Sequence, residues 1–270
     1  MTDVRDRPAA AETAEGRRNR HGDFIWYELI TPDPEESKAF YEAVAGWQVG
    51  PASEEHEGYR EIRAGNAHAG GMMLLTDEMQ QHGARPTWLG YIGVDDVDES
   101  VASIERAGAR LLIPAFDIPG VGRLAMIADP QGVPFYVMRG AIEQASRAFD
   151  PQGLGRVSWN ELATRDQRAA LDFYVAQFGW TKGDAMPMGD MGDYQFITHH
   201  GVPLGAIMTA AADKQPRWRF YVRVADVDTA KDAVERAGGT IIHGPQEVPG
   251  GERILVGIDP QGAEFALVGK

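Results

Sequence analysis

The stretch that decides the fold is Phe24–Trp47, FIWYELITPDPEESKAFYEAVAGW, because the chain contains it twice. It returns as Val157–Trp180, VSWNELATRDQRAALDFYVAQFGW. Trp26 recurs as Trp159, Glu28 as Glu161, Leu29 as Leu162 and Trp47 as Trp180, each 133 residues on. The repeat extends outward. Val94–Arg110 returns from Val224, Asp129-Pro-Gln-Gly as Asp259-Pro-Gln-Gly, and Pro86-Thr-Trp88 as Pro216-Arg-Trp218, each 130 residues on. A self-similar period of this size marks a duplicated structural unit. Two halves of ordinary domain size therefore account for nearly the whole chain.

Within the stretch, alternation puts Trp26 and Glu28 on one face of a strand and Ile25, Tyr27 and Leu29 on the other. Thr31-Pro32-Asp33-Pro34 stops the strand, with Asp33 as N-cap and Pro34 as first helical residue. The helix runs to about Ala45, with Ala39, Phe40 and Val44 toward the core and Gly46 ending it. Gln48–Gly58 reads as a loop. Tyr59–Arg63 and Gly70–Leu75 read as strands around a Gly65-Asn66 turn, and Thr76–Pro86 as a polar connection. A strand at Trp88–Val94 and a helix at Val97–Ala107 follow. Three closing strands come next, with Asp129-Pro130-Gln131-Gly132 as the turn between the last two. The order is β-α-β-β-β written twice per half.

Composition narrows the function classes. A net charge of −14 argues against nucleic acid and against anionic membranes, which need concentrated Lys and Arg. The absence of Cys removes disulfides, thiolate metal sites and a Cys nucleophile, and fits a cytoplasmic address. Residues 1–21 mix charge, Ala and Pro without an apolar core and read as a solvated tail. Residues 22–140 form the first domain, 141–152 a linker and 153–270 the second domain.

The D-P-x-x-S/A-x-x-F-Y-x-x-x-x-G-W opening, the V-x-D-V-D helix entry, the R-A-G-G/A helix exit and the D-P-x-G hairpin together resemble the vicinal oxygen chelate superfamily. That superfamily includes glyoxalases, extradiol dioxygenases, fosfomycin-resistance enzymes and bleomycin-binding proteins. The resemblance implies an α+β fold of two tandem domains, each a pair of βαβββ modules forming a curved mixed sheet around a cavity. It also implies metal ligands at set positions. These hold Trp26, Leu89 and Tyr136 in the first half and Trp159, Arg219 and Ala266 in the second, none a metal donor. The expectation is thus the fold without a metal or other cofactor.

What remains on the expected concave faces is aromatic. Trp26 with Glu28, and Trp159 with Glu161, share a face, joined by Tyr91 and Tyr221 from the facing strand. Tyr136 and Met138 add to the first cavity, and Arg219 and Arg223 to the second. Such a lining suits a small-molecule ligand or equally a filled core. Glu28 and Glu161 are the candidate acid–base groups, or else structural carboxylates. Arg219 is either the partner of Glu161 or an anchor for an anionic ligand. With Leu89 opposite it instead of a cation, Glu28 is expected to be the better proton donor. Two readings follow: a metal-independent ligand-binding protein, self-association into a homodimer left open, or an enzyme. The enzyme would be a lyase, isomerase or hydroxylase/dioxygenase-like catalyst, either cofactor-free through Glu28 or Glu161 or metal-dependent through other ligands.

Overall fold

Asp33 caps the first helix as its spacing predicts, its Oδ1 accepting from the Glu35 and Glu36 amides at 3.0 Å each, and Gly46 ends it at φ 67°. In this computed structural model, which describes residues 18–270, the first half runs β1 (Phe24–Thr31), α1 (Pro34–Ala45), β2 (Gln48–Val49), β3 (Arg60–Ala64), β4 (Ala67–Leu74), α2 (Asp77–Gln81), β5 (Thr87–Gly93), α3 (Val97–Arg106), β6 (Arg110–Ile118), β7 (Gly122–Ala128) and β8 (Pro134–Gly140). The second half runs β9 (Val157–Thr164), α4 (Gln167–Phe178), β10 (Thr181–Pro187), β11 (Asp193–His199), β12 (Val202–Thr209), β13 (Arg217–Arg223), α5 (Val227–Arg236), β14 (Thr240–Glu247), β15 (Arg253–Ile258) and β16 (Glu264–Gly269). The short helix α2 was not expected in the Thr76–Pro86 connection; the second half lacks a counterpart.

Each half is one eight-stranded mixed sheet. The orders are β2-β3-β4-β1-β5-β8-β7-β6 and β10-β11-β12-β9-β13-β16-β15-β14, the same path drawn twice. Two β-α-β-β-β modules meet at an antiparallel seam, β1 with β5 and β9 with β13, while β1–β4 and β5–β8 run parallel. One face of β1 sends Tyr27 and Leu29 into the main core under the helices. The other sends Glu28 and Ile30 into the concave side. Ile25 departs from the expected alternation. A register shift between Phe24 and Trp26 turns it to the concave side and puts Phe24 in the main core. Helix α1 buries Ser37, Phe40, Tyr41 and Val44, whereas Ala39 is exposed.

The two halves share one main core, and α1 packs on α5 as α3 packs on α4. The Asp-Pro-Gln-Gly turns hold this interface as well as their own hairpins. Asp129 Oδ1 accepts from the Gln131 and Val133 amides, and its Oδ2 accepts from Tyr174 of the other half at 3.1 Å. Asp259 repeats the arrangement with Tyr41 at 2.9 Å. Trp47 donates to the Gly155 carbonyl and Trp180 to the Gly22 carbonyl. Where the halves meet, equivalent positions have become complementary. Tyr27 donates to Asn160 at 2.8 Å, and Phe220 sits where a Cβ on its equivalent Gly90 would meet the ring at 2.8 Å.

Of the tail read at residues 1–21, residues 1–17 lie outside the described residues. Arg18 lies within ion-pair range of Asp95 and Glu143, and the His21 ring hydrogen-bonds the Gln177 carbonyl. Among the described residues no helix is long and apolar enough to cross a membrane.

Candidate functional site

The concave face of each sheet is built on one carboxylate, and the two carboxylates have different surroundings. In the second half, Glu161 on β9 stands opposite Arg219 on β13 in the strand register. Arg219 Nη1 donates to Glu161 Oε1 at 2.7 Å, and its Nε donates to Glu264 Oε1 at 2.8 Å. Arg217 Nε also reaches Glu264, at 2.9 Å. Tyr194 and Tyr221 donate to Glu161 Oε2 at 2.8 and 3.2 Å, and Trp159 Nε1 donates to the Tyr194 hydroxyl at 2.8 Å. Both oxygens of Glu161 therefore have partners. Burial alone would lower the Arg219 pKa, but Tyr221, Glu161 and Glu264 outweigh it and hold the guanidinium above its ordinary range.

In the first half the same positions carry Trp26, Glu28, Tyr59, Leu89 and Tyr91. Trp26 Nε1 donates to the Tyr59 hydroxyl at 2.7 Å, repeating the Trp159–Tyr194 bond. Gly71 leaves the space for that phenol, since a Cβ there would stand 1.8 Å from its hydroxyl. The cation is missing. Leu89 stands opposite Glu28 where Arg219 stands opposite Glu161, and Pro134 replaces Glu264. Glu28 is 4% exposed, and its buried Oε1 has no hydrogen-bond partner. Burial pushes the Glu28 pKa up to about 7, although the Tyr91 and Tyr59 hydroxyls pull it down. Tyr91 and Tyr136 stack at 4.3 Å between centroids beside it. Burial, then the charge of Glu28, raises the pKa of both phenols.

The first concave face is not an open bowl. Ile25, Ile30, Leu75, Leu89, Leu124, Tyr91 and Tyr136 fill it. The half-buried Trp26, Met73, Met79, Met126 and Met138 lie over that cluster, Met79 coming from α2. The second face carries a smaller apolar cluster, with Val256, Ala266 and Val268 where the first has Met126, Tyr136 and Met138. A separate groove of about 550 Å³ runs between α4, β10 and β11, lined by exposed groups including Arg168 and Lys182, away from both carboxylates.

All the sequence-predicted residues of the first half, Trp26, Glu28, Tyr91, Tyr136 and Met138, come together here. In the second half Trp159, Glu161, Arg219 and Tyr221 converge. Arg223 is drawn off to Glu252 and the Pro151 carbonyl, so neither it nor Arg219 is free to anchor an anion. Sequence reasoning missed Tyr59 and Tyr194 as members of the site. They are repeat equivalents 135 residues apart, and only a comparison allowing for the longer β10 would have aligned them.

The metal positions of the fold do not fit a metal here. Trp26, Leu89 and Tyr136 offer no imidazole or carboxylate. Among the described residues no group of three or more His, Asp or Glu side chains is arranged to hold an ion. His199 is buried against the His21 carbonyl, and His68 lies beside Glu61.

Comparison with known proteins agrees with this architecture. The family model of the Glyoxalase/Bleomycin resistance protein/Dioxygenase superfamily matches twice, over residues 24–137 and 153–267. CFP32 of Mycobacterium tuberculosis, provisionally named a glyoxylase, is 30% identical over 254 residues, covering 92% of this chain and 95% of that protein. The anthracycline biosynthesis protein DnrV of Streptomyces peucetius is 30% identical over 259 residues, covering 90% and 91%. Among solved structures, the Mn(II)-bound glyoxalase from Novosphingobium aromaticivorans superposes with a TM-score of 0.64 at 20% identity, over 93% of this chain and 82% of that one. With two matched domains that leave only the ends and the linker uncovered, the chain belongs to the Glyoxalase/Bleomycin resistance protein/Dioxygenase superfamily.

Proposed function

We propose that this protein binds a small organic ligand at the first concave face without a metal, with Glu28 as the polar anchor. The observation that carries this reading is the partnerless Oε1 of Glu28, set against the same oxygen of Glu161, which Arg219 holds. A buried, unpaired polar atom costs free energy, so its retention calls for a partner that arrives from outside. The four half-buried methionines are unbranched and polarizable and re-pack readily around an incoming apolar body. The second face supplies its own internal partner and is structural in this reading. A cytoplasmic address belongs to the same proposal, supported by a sequence without cysteine.

A second reading is supported by the Glu28 carboxyl itself. A group with a pKa of about 7 beside Tyr59 and Tyr91 is suited to proton transfer at neutral pH, and would make the same ligand the substrate of a cofactor-free reaction. Relatives named for glyoxylase chemistry and for anthracycline biosynthesis are compatible with either reading.

The test joins metal analysis with a ligand screen read by tryptophan fluorescence. The expected result is substoichiometric metal, together with binding that Glu28→Gln weakens at least about tenfold and Glu161→Gln leaves in place. Metal held at about one ion per domain, or binding indifferent to Glu28→Gln, contradicts the proposal.

A further inference from the structure

We infer that the ligand of the first concave face is an organic cation, a protonated amine or amidine on an apolar and preferably aromatic body. This inference rests on the reading of that face as a binding site and adds the chemical class. The second half supplies the argument, because it shows what the same carboxylate binds when the chain provides the partner. There the group on Oε1 is a guanidinium, delivered from the facing strand at 2.7 Å. In the first half Leu89 withdraws that group and Pro134 withdraws the second carboxylate, which in the other half engages the same arginine. The remainder of the arrangement is kept: the Trp, the two phenols and the carboxylate. A ligand carrying N–H donors and positive charge would restore the missing half of the pair.

Three further features point the same way. Trp26, Tyr59, Tyr91 and Tyr136 surround Glu28 with aromatic groups, and the π-faces of such rings attract cations, more strongly when desolvated. Among the described residues, the arginines at the edge of the site are already engaged. Arg123 is paired with Asp98 and Asp117, Arg139 with Glu143, and Arg85 sits on backbone carbonyls, while Asp77 and Glu78 flank Met79 on α2. The net charge of −14 favours the approach of cations over anions.

The titratable groups facing Glu28 are Tyr59, Tyr91 and Tyr136, all with pKa values raised by burial, so Glu28 alone among them exchanges its proton near neutrality. A bound cation stabilises the carboxylate and expels that proton. A neutral acceptor would instead stabilise the protonated acid and draw a proton in. The sign of the proton change on binding therefore separates the two ligand classes.

The experiment is calorimetry at pH 7 in two buffers of different ionisation enthalpy. It uses benzylamine, 1-naphthylmethylamine and 9-anthrylmethylamine against their matched alcohols. The amines are expected to bind at least about tenfold more tightly than the alcohols and to release protons on binding, as a partly protonated carboxyl requires. Glu28→Gln should erase the preference, and Leu89→Arg combined with Pro134→Glu should abolish amine binding by filling the site from within. Alcohols binding as tightly as amines, with proton uptake and sensitivity to Glu28→Gln, would overturn the cation and leave the site standing. Neither series binding the parent protein, or binding unaffected by Glu28→Gln, would overturn the site as well.

Discussion

The two halves fold alike, clamp each other by the same contacts, and differ most sharply at one ion pair. Tyr41–Asp259 and Tyr174–Asp129 are the same bond made twice, as are the Trp47 and Trp180 bonds to opposite backbones. The concave faces diverge at Arg219 and Glu264, which close the second, and at Leu89 and Pro134, which leave Glu28 open. The duplicated domain thus holds the same buried carboxylate in two different settings. The second half satisfies its buried carboxylate internally. The first retains an unpaired buried group, the kind of local cost associated with functional sites.

The largest expected effect comes from removing the difference in the second half. Arg219→Leu leaves Glu161 without its cation in a largely buried site and should destabilise the protein by about 3 to 5 kcal/mol in denaturant unfolding. It also recreates the Leu89 arrangement, so added arylalkylamine should recover part of the loss by binding the folded state. A loss below about 1 kcal/mol would mean that the pair is not what closes the second face.

Next is the pH dependence of Glu28. Its folded pKa is raised from the ordinary 4.5 to about 7, so the folded state holds the proton more tightly than the unfolded chain. The stabilisation from Glu28 is therefore complete below about pH 4.5 and is lost as pH rises to about 7, amounting to about 3 kcal/mol at full size. Glu28→Gln should flatten the stability profile across that window and make the variant more stable than the parent at pH 8. Parallel profiles for the two proteins would contradict this.

The smallest effect tests the likeness of the halves. Tyr41→Phe and Tyr174→Phe each remove one phenol from a buried Asp and from a Trp indole, and each should cost about 2 kcal/mol. Thermal unfolding should show the two costs to be equal within about 0.5 kcal/mol, since the environments match. Unequal costs would show that the clamp has diverged as the faces have.

The repeat made the fold legible, because both halves carry the same strand, capped helix and hairpin signals at matching intervals. The Glu161–Arg219 alternative could be posed from the sequence because the two residues lie on neighbouring strands at a register that alternation can follow. The rest depended on contacts that sequence does not encode locally. The bulge that turns Ile25 inward has no residue signature. Arg223 lies on a strand read as facing the cavity, yet Glu252 and a carbonyl on the linker claim it. Tyr59 was hidden by the unequal lengths of β2 and β10, and the five-residue α2 by its polar sequence. The Asp-Pro-Gln-Gly motif reads as a turn, and only the assembled halves reveal that its second oxygen reaches across to a tyrosine.

The central claim, that Glu28 is a buried carboxyl awaiting a cation, is tested most directly by a carbon-13 NMR titration of its side chain. The account predicts a midpoint near pH 7 in the free protein, moving downward on addition of 1-naphthylmethylamine and downward again in the Leu89→Arg, Pro134→Glu variant without ligand. A midpoint in the ordinary carboxylate range for the free protein, unchanged by amine or by the grafted arginine, would contradict it.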